Sequence, residues 1–285
     1  MRWTPGNRGN IEDLRGRSGM GMRAGSLGIG GLLLMLVLSW ATGVDFLSLV
    51  GSGGGGAPVE SAGTSGEVVT TPEEEELVDF VDAVMADTQQ TWAGLLGNRY
   101  QATKARLFRD GVQSACGFAQ SASGPFYCPA DHFVYLDLGF FNELRGRFGA
   151  SGDFAQAYVL AHEVGHHVQS LLGLDSQIRE AQASNPSDSN ALSVRLELQA
   201  DCFAGVWGHA TNSPGRNARG RVELESGDLE EGLRAAAAIG DDRIQRMSTG
   251  HVFPEKFTHG SSEQRVTWLR RGFDTGNPDS CNTFQ

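Results

Sequence analysis

The stretch His162-Glu163-Val164-Gly165-His166 constrains this chain most, because it joins helical spacing to metal-ligand chemistry. Residues four apart share one face of a helix, so the two imidazoles can bind a single Zn²⁺. Glu163 directly follows the first ligand, where its carboxylate can reach a water on the metal and act as general base. The lead-in from Asp153 to Ala161 contains no helix breaker, and Val168, Leu171 and Leu172 carry the apolar pattern onward. Asp153 after Gly152 is a fair N-cap, and Gly173 sits where a stop is expected. The spacing therefore predicts a helix over 153–172. Gly165 weakens that helix, which predicts close backbone packing or room near the metal.

A catalytic zinc takes three protein ligands and leaves a position for water. The extended pattern with a third histidine fails here, because Gln169 and Leu172 occupy its Gly and His positions. A second helical segment, Arg195 to Trp207, supplies the best candidate in Glu197. Glu197 and Asp201 are four apart and share a face. Glu197 can bind the metal while Asp201 accepts the free ring N–H of a ligating histidine. His209, Glu180 and Asp175 are weaker candidates for the third ligand.

These residues resemble a family. His162-Glu163-x-x-His166 followed by Glu197-x-x-x-Asp201 is similar to the gluzincin arrangement, including that of bacterial membrane-bound heat-shock metalloproteases. Blocks in the same order extend the resemblance to the membrane-anchored neutral zinc metallopeptidases of bacteria. They are Asn10 to Asp13 with Arg15-Gly16, Tyr127 to Asp131, Val134 to Leu138, Gly152 to Tyr158, His162 to Gln169, Glu197 to Gly205 and Thr258 to Arg265. The resemblance implies an α+β, zincin-like metallopeptidase domain with an active-site helix and a small sheet, preceded by one transmembrane helix. It implies Zn²⁺ as cofactor and a protein or peptide as substrate. His259 resembles the histidine of a Thr-His-Pro block in the heat-shock proteases, although Gly260 replaces the proline. On that resemblance His259 is the second donor to the oxyanion that forms on a scissile carbonyl. Tyr158 and Tyr127 are other donors to consider, and His167 points about 100° away from His166, as a packing residue does.

Residues 25–44 carry no charged side chain and include Leu32 to Leu38. Twenty residues suffice to cross a hydrocarbon core. Ahead of them stand Arg2, Arg8, Arg15, Arg17 and Arg23 against Glu12 and Asp13, which predicts a cytoplasmic N-terminus and an extracytoplasmic domain. The expected organisation is a cytoplasmic segment over 1–24, a signal anchor over 25–44, a Gly/Ser/Thr-rich linker over 45–71 and the metallopeptidase domain over 72–285. The whole chain carries a net charge of −11, and its cationic excess lies ahead of the apolar run. That argues against nucleic acid as a partner.

Glu73 to Glu76 suits the first turn of a helix, with Leu77, Phe80, Val81, Val84 and Met85 as its apolar face. Four cysteines fit an oxidising compartment, with Cys116–Cys128 and Cys202–Cys281 as the favoured pairs of three possible sets. Cys202 as a buried free thiol is the alternative. Phe133 to Leu138 alternates as a strand and is expected to be the edge strand that a substrate extends. Leu229 to Met247 reads as one helical scaffold run, with Arg243 on a solvated face. The expected function is zinc-dependent endopeptidase activity, with Glu163 as base, His162, His166 and Glu197 on the metal, Asp201 behind them and His259 as donor. A zinc-stabilised binding or chaperone-like module without turnover, and a zinc hydrolase of a non-peptide bond, are the alternatives.

Overall fold

The computed structural model describes residues 1–16, 69–212 and 222–284. The anchor expected over 25–44 and most of the linker expected over 45–71 lie outside the described residues. Among those described, no helix is long and apolar enough to cross a membrane.

Sheet and helices are mixed, as the α+β expectation requires. A four-stranded sheet runs in the order β2 (Ile11–Asp13), β3 (Lys104–Phe108), β7 (Phe133–Asp137), β6 (Phe126–Cys128). The first three strands are parallel and β6 closes the row antiparallel to β7. Register sets Ala105 beside Val134 and Leu107 beside Leu136, and these four side chains enter the main core. On the opposite face Phe108, Tyr135 and Cys128 gather in a smaller cluster. Alternation of side chains along a strand produces this division. A hairpin of β4 (Gly111–Ser114) and β5 (Gly117–Gln120) and a short pair of β1 (Arg2–Trp3) with β8 (Val222–Glu223) complete the strands described.

The first long helix, α1 (Pro72–Leu96), starts where the Thr71 hydroxyl accepts the Glu74 amide at 3.2 Å, and Glu73 to Glu75 face its positive end. After α2 (Phe140–Gly146) comes the motif helix, α3 (Asp153–Leu171). It begins at Asp153 itself, with Gly152 in the cap position at φ 116°, and it ends ahead of Gly173 in the left-handed region at φ 73°. Then follow α4 (Leu174–Ser184) and α5 (Ser189–Thr211), with α6 (Asp228–Ala238), α7 (Asp241–Thr249) and α8 (Ser262–Thr275) closing the chain. The capping box of α8 pairs Ser261 with Gln264.

Small residues set the helix spacings that matter for the site. A Cβ on Gly165 would stand 3.0 Å from the Ala200 carbonyl, so α3 and α5 touch backbone to backbone there. A Cβ on Gly205 would lie 2.1 Å from the Leu269 carbonyl, and one on Gly272 1.9 Å from that of Cys202. Helices α5 and α8 therefore meet through reciprocal glycines. Cys202–Cys281 ties the C-terminal tail to α5, and Cys116–Cys128 joins the hairpin to β6. Both favoured pairings are present.

Three expectations differ from what the fold shows. Strand β7 is interior, flanked by β3 and β6, so the edge on that side is β6; alternation identifies a strand but not its neighbours. The helical run over 229–247 breaks between α6 and α7, because Gly240 must pass the Ser262 backbone, which a Cβ there would approach to 2.3 Å. Arg243 is exposed on α7, as expected, and its Nη2 also donates to the Phe148 carbonyl at 3.0 Å. The N-terminal residues are not a separate segment: Met1–Arg15 and residues 69–285 form one compact unit. Strands this short gain their place only from long-range pairing, which local sequence does not reveal.

The glycine contact between α5 and α8 makes a direct prediction. Gly272→Ala should destabilise the protein by about 1–3 kcal/mol despite alanine's better helix propensity, because neither backbone can yield to the added carbon. Urea unfolding monitored by circular dichroism would read the loss.

Candidate metal centre

Two helices that touch at Gly165 and Ala200 bring three ligand atoms together. His162 Nε2 lies 3.2 Å from His166 Nε2 and 3.2 Å from Glu197 Oε2, and His166 Nε2 lies 3.5 Å from Glu197 Oε1. Ligands bound to one zinc at about 2.0–2.1 Å in tetrahedral geometry stand roughly 3.3 Å apart. The triangle fits such an ion. His162, His166 and Glu197 form the one histidine-containing group of potential metal ligands among the described residues.

Each imidazole is aimed by a partner on its other nitrogen. Asp201 Oδ1 accepts from His162 Nδ1 at 2.8 Å, and Gln169 Oε1 accepts from His166 Nδ1 at 2.9 Å. These bonds hold protons on Nδ1 and leave both Nε2 atoms free for a metal. Gln169 is itself held, since its Nε2 donates to the Leu196 carbonyl at 2.7 Å and to Gln199 Oε1 at 3.0 Å. Gln199 in turn donates to the carbonyl of the disulfide-bonded Cys281 at 3.1 Å.

Behind His162 stands a fully buried network. Arg265 donates from Nε to Asp201 Oδ2 at 2.8 Å and from Nη2 to Asp201 Oδ1 at 2.9 Å, a bidentate pair. The Tyr158 hydroxyl donates to Asp201 Oδ1 at 2.6 Å. Burial pushes the Asp201 carboxyl up, but Arg265 and His162 outweigh it and hold its pKa at about 2. Burial opposes a charge on His162 as well, yet Asp201 and Glu197 raise its pKa to about 10. Burial likewise opposes a charge on His166, whose pKa Glu197 nonetheless raises. A field that holds protons this firmly in a buried cluster is one that favours a cation there.

Glu163 is buried and lines the same cleft as the three ligands, a cavity of about 630 Å³ whose lining also includes Tyr127, Tyr158, His259 and Arg265. His259 borders it from the loop before α8. Asp241, the first residue of α7, shapes that loop: its Oδ2 accepts the amides of Thr258, His259 and Gly260 at 2.7, 2.7 and 3.1 Å. Its Oδ1 stands 3.2 Å from His259 Nδ1. This partner raises the His259 pKa against the opposing effect of burial.

The remaining candidates are not part of the ligand triangle. His209 bonds the Phe273 carbonyl at 2.7 Å. Asp175 pairs with Arg179 at 3.1 Å, and Glu180 is exposed on α4. His167 is buried against the Gln101 carbonyl and the Tyr127 hydroxyl, at 2.7 and 3.0 Å, as its direction on the helix predicted. Tyr158 spends its proton on Asp201. A second acidic group, Asp153, Asp228 and Glu231, lies at the start of α3, where Glu231 accepts the Phe154 amide.

Sequence reasoning missed Gln169 and Arg265 as parts of the centre. Gln169 was visible as a polar residue one turn beyond His166 on the buried face of α3. Arg265 offered no spacing signal, because 64 positions separate it from Asp201.

Both the loaded and the metal-free protein give measurable outcomes. Gln169→Leu should weaken zinc binding about 10–100-fold, measured by competition with a chromophoric chelator. In the metal-free protein the raised His162 value stabilises the fold below the unfolded pKa of 6.5, and this contribution fades as pH rises through about 10. Zinc competes with that proton. Its affinity should fall as pH is lowered, and uptake at neutral pH should release protons, read as a buffer-dependent heat by titration calorimetry.

Comparison with known sequences agrees with this centre. The family described as "Putative neutral zinc metallopeptidase" matches residues 1–284. "Uncharacterized protein YpfJ" of Escherichia coli is 47% identical over 298 residues, covering 100% of this chain and 99% of its own length. "Uncharacterized protein Mb2605" of Mycobacterium bovis is 46% identical over 197 residues, 68% of this chain and 66% of its own. No solved structure matches. With a metal-ligand triangle in place and a family match over nearly its whole length, this chain belongs to that zinc metallopeptidase family.

Proposed function

We propose that the protein is a zinc-dependent endopeptidase with a zincin-like catalytic domain. The observation that carries this reading is the triangle of His162, His166 and Glu197 beside Glu163 in an open cleft. Three protein ligands leave a coordination position available, whereas a structural zinc is closed by four. A bound zinc ion supplies Lewis acidity and lowers the pKa of water in that position.

The chain's own residues do the rest. Glu163 accepts the proton of the attacking water and delivers it to the leaving amine. Asp201 and Gln169 keep the imidazoles from rotating, so the ligand triangle needs no rearrangement on binding. His259, charged over a wider pH range because of Asp241, donates to the oxyanion. The free edge of β6 runs along the cleft, where Phe126 and Tyr127 line it. An extended peptide can add there as a further strand, which favours a peptide substrate over another hydrolysable bond. Phe126, Phe140, Phe148, Ile239 and Ile244 give the cleft apolar walls, suited to large apolar side chains.

Glu163→Gln should lower kcat by at least about 10²–10⁴-fold with zinc content unchanged; full activity in that variant would overturn the mechanism. If His259 works as a cation, activity should fall as pH rises through its raised pKa, and Asp241→Asn should move that fall to lower pH. A mixed peptide library digested by wild type and by Glu163→Gln tests the first point and separates peptide hydrolysis from a binding role.

A further inference from the structure

The first fifteen residues are built into the metal-binding domain at several independent points. Strand β1 pairs with β8, and the Trp3 ring meets Phe80 edge-on at 5.6 Å. Asn10 donates from its backbone and side chain to Asp82 Oδ1 at 3.0 and 2.9 Å, and accepts from Gln89 Nε2 at 2.9 Å. Strand β2 covers the outer edge of β3, and the pairing runs past both its ends: Ala105 N–H donates to the Asn10 carbonyl and Leu14 N–H to that of Leu107, each at 2.8 Å. Arg15 buries its guanidinium among Asp13, Glu74 and Glu75 at 2.6, 2.9 and 3.0 Å.

That ion cluster also locates where the chain departs and returns. Arg15 is the last residue of the N-terminal part of the unit, and Glu74 lies in the first turn of α1, just after the chain re-enters at Val69. Arg109 closes the same neck, donating from Nη2 to the Val69 carbonyl at 3.0 Å and to Glu74 Oε2 at 2.6 Å. Exit and re-entry are thus joined by one network of ion pairs.

We propose that residues 1–15 and 69–285 lie on the same side of any bilayer the chain contacts. The single crossing expected from the sequence would place about 30 Å of hydrocarbon between the two parts. It would strip Arg15 from Glu74 and Glu75 and would bare the outer edge of β3. A double crossing would return the chain to the correct side but needs about forty apolar residues, and the uncharged run at 25–44 has twenty.

The test uses the full chain in bacterial spheroplasts, with Thr4→Cys and Ser187→Cys made separately at exposed positions. Each is probed with a membrane-impermeant maleimide before and after lysis. Both sites should label before lysis, or both only after it. Labelling of one before and the other only after lysis would overturn the proposal. So would a Thr4→Cys chain that stays unlabelled after lysis, because the segment would then have been removed. The packing itself is tested on the purified full chain by the thermal midpoints of Arg15→Met, Glu75→Gln and the double variant. Arg15→Met should lower the midpoint by roughly 5 °C or more, and the double variant should lose less than the sum of the two singles. Strict additivity would overturn the proposal.

Discussion

A single carboxylate organises the centre of this molecule. Asp201 is wholly buried, and its two oxygens receive protons from His162, Tyr158 and both arms of the Arg265 fork. A buried carboxylate without such partners would be neutral or would unfold its surroundings. Here the arginine keeps it ionised, and an ionised Asp201 gives His162 one defined tautomer. Helices α3, α5 and α8 are all committed to this point, since each contributes a residue to it. Their close spacing at Gly165, Gly205 and Gly272 is therefore part of the site's construction as much as of the core's.

A second layer acts on His166 in a different way. Gln169 is neutral, so it orients the ring without adding charge, and its own amide is tied to α5 at Leu196 and Gln199. The disulfide from Cys202 to Cys281 brings the C-terminal tail over the same helix, where Thr283 donates to the Arg195 carbonyl at 2.7 Å. The two histidines are thus supported from opposite directions: one by a charged network reaching α8, the other by an amide chain reaching the tail. Rotation of either ring breaks a buried hydrogen bond, costing about 1–3 kcal/mol, which is what keeps the ligand triangle together.

The cleft in front of the triangle is assembled from parts that carry no motif. β6 lies along it because it is the last strand of the sheet, while β7 carries the stronger alternation and lies one position further in. The break between α6 and α7 brings Asp241 to the loop bearing His259, where three backbone amides converge on one carboxylate oxygen. A continuous helix over 229–247 would have left that loop without its support. The N-terminal strand lies at the opposite edge of the same sheet, so both borders of the sheet are defined by long-range pairing.

What the sequence by itself determined was everything carried by short-range periodicity. The helix bearing His162, Glu163 and His166, the helix bearing Glu197 and Asp201, and the acidic first turn of α1 all follow from spacing, glycine punctuation and complementarity to the helix dipole. That Asp201 accepts from a ligating histidine was legible too, because helical spacing placed Glu197 and Asp201 together; that the histidine is His162 was not. Only the tertiary structure decided that Arg265 completes this pair, that Gln169 steadies His166, that β6 rather than β7 is an edge of the sheet, and that residues 1–15 belong to the domain. The physical reason is common to all four. A hydrogen bond or ion pair between residues far apart in the chain leaves no local period, and its partner becomes identifiable only when packed helices and paired strands bring the two into contact.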